Sequence, residues 1–155
     1  MLSPVPDRPF PKPIRLAAVR YSDATATFHI VIRALPGRRP FAGDVGAAVW
    51  NCIASQRSAT TAVVVAACLM PDHLHLLARA LQETLTDWVA RLKSLTTRAA
   101  WSVGWRGAIW QPRFFDRALR DGELAPTLAY IVNNPVVAGL VEEPADWAWL
   151  FVDDG

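Results

Sequence analysis

The chain has 155 residues, 52% of them hydrophobic, and a formal net charge of +2. That length suits one domain with a real core, and no run of 18 apolar residues is present to make a transmembrane helix. The charge is uneven: residues 79–120 carry eight basic and three acidic side chains, while residues 121–155 carry seven acidic and no basic ones.

Residues 1–13 hold five prolines and no apolar stretch of signal-peptide type, so 1–14 is expected to be a loosely packed lead-in and 15–155 a single domain. Residues 24–34 alternate and are rich in Thr, Phe, Ile and Val, which predicts a strand. Pro36-Gly37 marks a loop. Val45, Val49, Trp50 and Ile53 recur at helical spacing and predict a helix over 42–56. Residues 60–69 are continuous and β-branched, as in a strand buried on both faces. A Pro71-Asp72 turn leads into another strand over 73–80, so these two should pair as a hairpin. Cys52 and Cys68 fall on apolar positions and read as free thiols in a reducing cytoplasm.

The clearest helix is predicted over 83–103, with Leu85, Trp88, Val89, Leu92, Leu95 and Ala99 on one stripe. Gly104 and Gly107 end it. Residues 110–119 mix aromatics with arginines and are expected to be extended. A last helix should begin somewhere in 121–126 and stop or kink at Asn134, because Pro135 disfavours the helical conformation before it. Leu124, Leu128, Ile131 and Val132 form its apolar stripe. Tyr130 and Asn134 lie off that stripe, side by side, so this tyrosine projects away from the core.

The chemistry concentrates in His73-Leu74-His75. In a strand, alternate side chains share a face about 6.6 Å apart. Two imidazoles so placed can hold one metal ion, or can simply be solvent-facing. Asn134 is a candidate third ligand through oxygen. Nitrogen and oxygen donors together suit magnesium or manganese, or zinc. A tyrosine beside such a site can act as a nucleophile once deprotonated, with the metal stabilising charge on a phosphate. The cations are nearly all arginine, which makes forked bonds to phosphate. Arg91, Arg98, Arg113, Arg117 and Trp110 are candidate DNA contacts, with a solvated face or core packing as the alternative. His29 in the first strand could approach the site, but is expected to be a core or sheet-face histidine.

Three blocks in order resemble the REP-associated tyrosine transposases, within the single-tyrosine HUH transposases. They are Met70-Pro71-Asp72-His73-Leu74-His75-Leu76-Leu77, Trp110-Gln111-Pro112-Arg113-Phe114-Phe115-Asp116-Arg117, and residues 130–141 beginning Tyr130-Ile131-Val132-Asn133-Asn134-Pro135. The similarity spans roughly residues 15–149. It implies an α+β, ferredoxin-like β-α-β-β-α sandwich: an antiparallel sheet, helices on one face, and a C-terminal helix carrying the tyrosine. It also implies metal-dependent cleavage and rejoining of single-stranded DNA at or near palindromic hairpins, through a 5′-phosphotyrosyl intermediate. Tyr130 would be the nucleophile, His73, His75 and Asn134 the ligands of Mg2+ or Mn2+, and Asp72 either an outer contact of His73 or a turn cap. The expected setting is the bacterial cytoplasm at the nucleoid, with single-stranded or hairpin DNA as partner, no membrane, and monomer or homodimer undecided. After Trp149 the chain departs from the family pattern, lacking a serine-rich continuation. Two other readings stay beside this one: a domesticated protein that binds hairpin DNA without cutting it, and a metal phosphohydrolase in which water replaces Tyr130.

Overall fold

The computed structural model describes residues 26–153. The proline-rich lead-in and the first residues of the predicted first strand lie outside the described residues. Strand β1 (Phe28–Arg33) sends Phe28, Ile30 and Ile32 into the core and leaves His29, Val31 and Arg33 on the other face, as a period of two requires. Helix α1 (Gly43–Ser55) follows, with Gly46, Val49 and Ile53 buried. β2 (Ala62–Met70) and β3 (His73–Ala80) form the expected antiparallel hairpin, Met70 opposite His73. A register shift between Val64 and Ala66 kinks β2. Beyond it Ala66, Cys68 and Met70 face away from the main core, while Ala67 and Leu69 face into it.

Helix α2 (Leu85–Trp101) starts at Thr84, whose hydroxyl accepts the Asp87 N–H, a standard cap. It packs Leu85, Trp88, Val89 and Leu92 against the same sheet face as α1. The aromatic and basic segment yields a short strand, β4 (Phe115–Ala118), on the free edge of β1. Helix α3 (Leu124–Val137) then crosses the opposite face of the sheet, where Ile131 packs with Ala66, Cys68, Met70 and Leu77. β5 (Leu150–Val152) closes the far edge against β2. The sheet is thus five antiparallel strands in the order β4-β1-β3-β2-β5, with two helices on one face and α3 on the other. The strand–helix–strand–strand–helix order read from the sequence is present, extended by an edge strand on each side.

One boundary differs from expectation. α3 does not stop at Asn134 but runs through Pro135 to Val137. Proline lacks an N–H and crowds the preceding turn, yet its fixed φ is itself helical. Placed in the last turn, it removes one hydrogen bond and leaves the axis continuing. The real stop is Gly139, at φ 75°. The Gly139 N–H donates to the Val136 carbonyl and the Leu140 N–H to that of Pro135, each at 2.9 Å, a Schellman closure that needs a left-handed residue. The tail then returns across the molecule: the Trp147 indole donates to the Leu69 carbonyl. Trp149 seats its ring against Gly46, where any side chain would collide with the indole. Cys52 and Cys68 are both free, and no helix among the described residues is long and apolar enough to cross a membrane.

Candidate active site

The face of the sheet under α3 carries an unusual set of polar side chains. β3 contributes His73 and His75, and β1 contributes His29 and Arg33. Arg33 is the register partner of His73, and Val31 that of His75. His29 therefore sits diagonally from His75, within reach of a long ring. Phe115 and Arg117 extend the same face on β4, opposite Val31 and His29.

The two β3 histidines converge. Their Nε2 atoms stand 3.1 Å apart. Each ring is held from behind: His73 Nδ1 meets Asp72 Oδ1 at 2.7 Å, and His75 Nδ1 meets His29 Nε2 at 3.0 Å. Of the two roles weighed for Asp72, the outer contact is the one present. A carboxylate only accepts, so His73 donates from Nδ1 and directs the lone pair of Nε2 inward. Tyr130 closes the site from α3, its ring centre 5.6 Å from that of His75 and nearly perpendicular, and 6.2 Å from that of His29. The tyrosine stays 47% exposed, so a substrate can reach it while its inner edge rests on the histidines.

Burial keeps the three imidazoles neutral. His75 is fully enclosed, and desolvation, with His73, His29 and Arg33 adding to it, holds its pKa well below the ordinary histidine range. Desolvation also lowers His73, opposed by the Asp72 hydrogen bond and charge. His29 falls to about 4, chiefly from burial and secondarily from the Arg117 guanidinium. Neutral imidazoles are what a metal needs.

The donor set fits a divalent ion. An octahedral ion bound at about 2.1 Å sets neighbouring donors about 3.0 Å apart, close to the Nε2 separation seen here. Carboxylate partners behind metal-binding histidines recur in such centres. Among the described residues no cluster of three or more His, Cys, Asp or Glu is positioned to hold a metal, so a third donor has to be of another kind. Asn134, half-buried and one turn beyond Tyr130, lies on the right helix for that.

The expected DNA-contacting residues scatter. Arg113 is exposed, between Gln111, whose N–H donates to the Arg33 carbonyl, and the start of β4. Arg117 pairs with Glu123, and Glu123 also accepts the Arg120 N–H; this pairing ties the start of α3 to β4. Arg98 is exposed on α2 beside Ser94, on the side of the sheet away from α3. Arg91 pairs with Glu83 and donates to Thr61. It thus sits at the far end of β2 and β3, about 23 Å along the strand from His73. Trp110 is buried, packed at a tilt against Phe41 and donating to Thr96; its ring serves the core.

Sequence reasoning ranked His29 as a sheet residue ahead of a site neighbour, and passed over Arg33. The signal was present in β1: its alternation leaves a histidine and an arginine on the face away from the core. Arg38, Arg39 and Arg106 were also passed over. All three are exposed on loops, with Arg38 set over the Trp105 ring. Those loops are tied to the His73 end of the sheet by hydrogen bonds from Ala34 N–H to the Asp72 carbonyl, from Phe41 N–H to that of Pro71, and from Leu35 N–H to that of Ile109.

Residues 23–134 match the family model described as "Transposase IS200 like". A candidate REP-associated tyrosine transposase of Haemophilus influenzae is 34% identical over 99 residues, 55% of this chain and 56% of that protein. A REP-associated tyrosine transposase of Escherichia coli is 31% identical over 80 residues, 51% of this chain and 47% of that one. The chain spans about half the length of these curated relatives. A solved structure of a REP-associated tyrosine transposase bound to a REP hairpin superposes with a TM-score of 0.66. It is 23% identical, with 84% of this chain and 79% of that chain covered, a likeness of fold.

Proposed function

The chain belongs to the IS200-like transposase family, and from that membership and the geometry of its site we propose that it cuts and rejoins single-stranded DNA through a covalent tyrosine intermediate. The observation that carries the reading is the placement of an exposed tyrosine ring against His75, itself one of two converged imidazoles. Nothing in the packing of α3 demands a tyrosine there. Its core face is Ile131 and Pro135.

In this reading the Tyr130 oxygen attacks the scissile phosphorus. The bond from phosphorus to the 3′ oxygen breaks, the phenolic proton is lost to solvent, and the departing oxygen takes up a proton as a 3′ hydroxyl. The 5′ phosphate stays on Tyr130 as a phosphodiester. Attack by another 3′ hydroxyl reverses these steps on a new strand, so the bond energy is kept and no nucleotide cofactor is needed. His73, His75 and Asn134 would hold Mg2+ or Mn2+, which supplies positive charge to the non-bridging oxygens of the phosphate. Arg33, exposed beside His73, adds charge of the same sign and a forked donor for that phosphate. Closed behind by the sheet, the rings of His29 and His75 give Tyr130 a fixed bed, which favours attack from one orientation. The substrate class we assign is single-stranded DNA next to a hairpin; the structural relative is bound to a REP hairpin.

The test is a denaturing gel with labelled hairpin-flanked single strands and Mn2+ or Mg2+. Wild type is expected to form a metal-dependent covalent adduct, and Tyr130→Phe and His73→Ala none. A native-gel shift without any adduct from the wild type would move the assignment to a DNA-binding protein. Cleavage that survives Tyr130→Phe would point to water as nucleophile.

A further inference from the structure

The contact behind His75 has a consequence for how the site opens to a cation. His75 is fully buried, and its Nδ1 lies 3.0 Å from His29 Nε2. One of these two nitrogens carries the proton between them. If His75 donates, its Nε2 presents a lone pair toward His73. The His73 Nδ1 proton is committed to Asp72, so His73 Nε2 presents a lone pair too. Two lone pairs 3.1 Å apart form a slot that suits a cation. If His29 donates instead, His75 moves its proton to Nε2 and donates to His73. A hydrogen-bonded chain from His29 through His75 to His73 then fills the slot. Both arrangements hold the same protons on neutral rings, and they differ only in tautomer.

We infer that His29 is a positioning residue that lets His75 adopt the Nδ1–H tautomer and so opens the metal slot. This rests on the metal-site reading above. An imidazole suits the task because it can accept through Nε2 when the slot holds an ion and donate through it when the slot is closed. A phenylalanine fits the same buried space, between Phe115 and Tyr130, but removes the acceptor. A buried N–H that loses its acceptor is costly. His75 is then driven to the Nε2–H form and the slot closes. Glutamine reaches as far as histidine and can present either its carbonyl or its amide nitrogen, so it preserves both arrangements.

The experiment is Mn2+ titration of the full chain by electron paramagnetic resonance, without DNA, together with the ring 15N shifts of His75. Wild type, His29→Phe and His29→Gln are compared, each checked for folding by its thermal transition. Loss of a residue behind a metal-binding histidine typically weakens binding about 10–100-fold. That loss is expected for His29→Phe, with His75 shifted to the Nε2–H form, and near wild-type binding is expected for His29→Gln. Should the phenylalanine variant fail to fold, His29→Asn replaces it, since that amide is too short to reach His75. Equal affinity and an unchanged His75 tautomer in the phenylalanine or asparagine variant would overturn the inference alone. So would a folded glutamine variant as weak as phenylalanine. A wild type that binds no Mn2+ would overturn the metal site itself, and this inference with it.

Discussion

Three histidines in one buried patch make stability depend on pH in a definite direction. In the unfolded chain each takes up a proton near pH 6.5. In the native site desolvation resists protonation, and His29 waits until about pH 4. Between those values the unfolded state binds more protons, so stability rises with pH and is lost as pH falls. For His29 alone the span is worth about 3 kcal/mol, and His73 and His75 shift in the same direction. Metal-free protein melted at constant ionic strength from pH 8 to pH 4 should show its transition falling from about pH 6.5 downward. A transition temperature that stayed flat across that window would mean that the imidazoles are not held neutral by burial. The same residue scale shows why the sequence favoured a sheet role for His29 over a place in the site. A lone histidine on a strand looks like any sheet-face residue until the partner strand is placed beside it.

At the level of the element, α3 carries Tyr130, the proposed nucleophile, while burying little. Leu124, Tyr130 and Val137 are all exposed, and the helix is anchored at its two ends. At the start, Glu123 is held by Arg117. At the end, Gly139 closes the Schellman turn at φ 75°. Open space surrounds the position of a Gly139 side chain, so Gly139→Ala introduces conformational strain without a collision. The expected cost is about 1 kcal/mol, or a fall of about 2–4 °C in the thermal transition for a domain of this size. Gly139→Asn, which tolerates the left-handed region, should lose less. An alanine variant as stable as wild type would show that the closure contributes nothing. Pro135 carried the opposite lesson. It is a strong local signal, yet in the final turn its single missing donor did not end the helix.

Across the whole molecule, the arginines divide by the end of the sheet they occupy. Arg33 is the register partner of His73, and Arg38, Arg39, Arg106 and Arg113 are exposed on segments whose backbone is tied to that end of the sheet, whereas Arg91 is bound to Glu83 and Thr61 at the other end. The first group is the one expected to track a strand entering the proposed site. For single-stranded DNA each phosphate contact adds about 0.7 to the slope of log affinity against log salt. Arg33→Gln, Arg39→Gln and Arg113→Gln should each reduce that slope by about this amount. Arg91→Gln should leave the slope alone and lower thermal stability instead. Fluorescence anisotropy at several salt concentrations separates the two outcomes, and an equal loss of slope for Arg91→Gln would refute the division. The sequence had placed Arg91 among the contacts because seven-residue spacing puts it on a common helix face with Arg98, and spacing carries no information about which end of the sheet that face meets.

What the sequence by itself determined was local and periodic. The strand alternation of β1, the hairpin of β2 and β3, the stripe of α2, the shared face of His73 and His75 and the outward aim of Tyr130 all follow from repeats of 2 or 3.6 residues. Motif order then sufficed to indicate the family. The tertiary structure decided which of these faces meet. It set α3 on the opposite side of the sheet from α1 and α2, brought Tyr130 onto His75 across 55 positions of chain, and turned His29 from a sheet residue into the partner of His75. It also moved Trp110 into the core and Arg91 into an ion pair. The reason is physical: periodicity reports which side chains share a face, but contact between faces depends on strand order and register. Those are settled by burial of the whole apolar set at once.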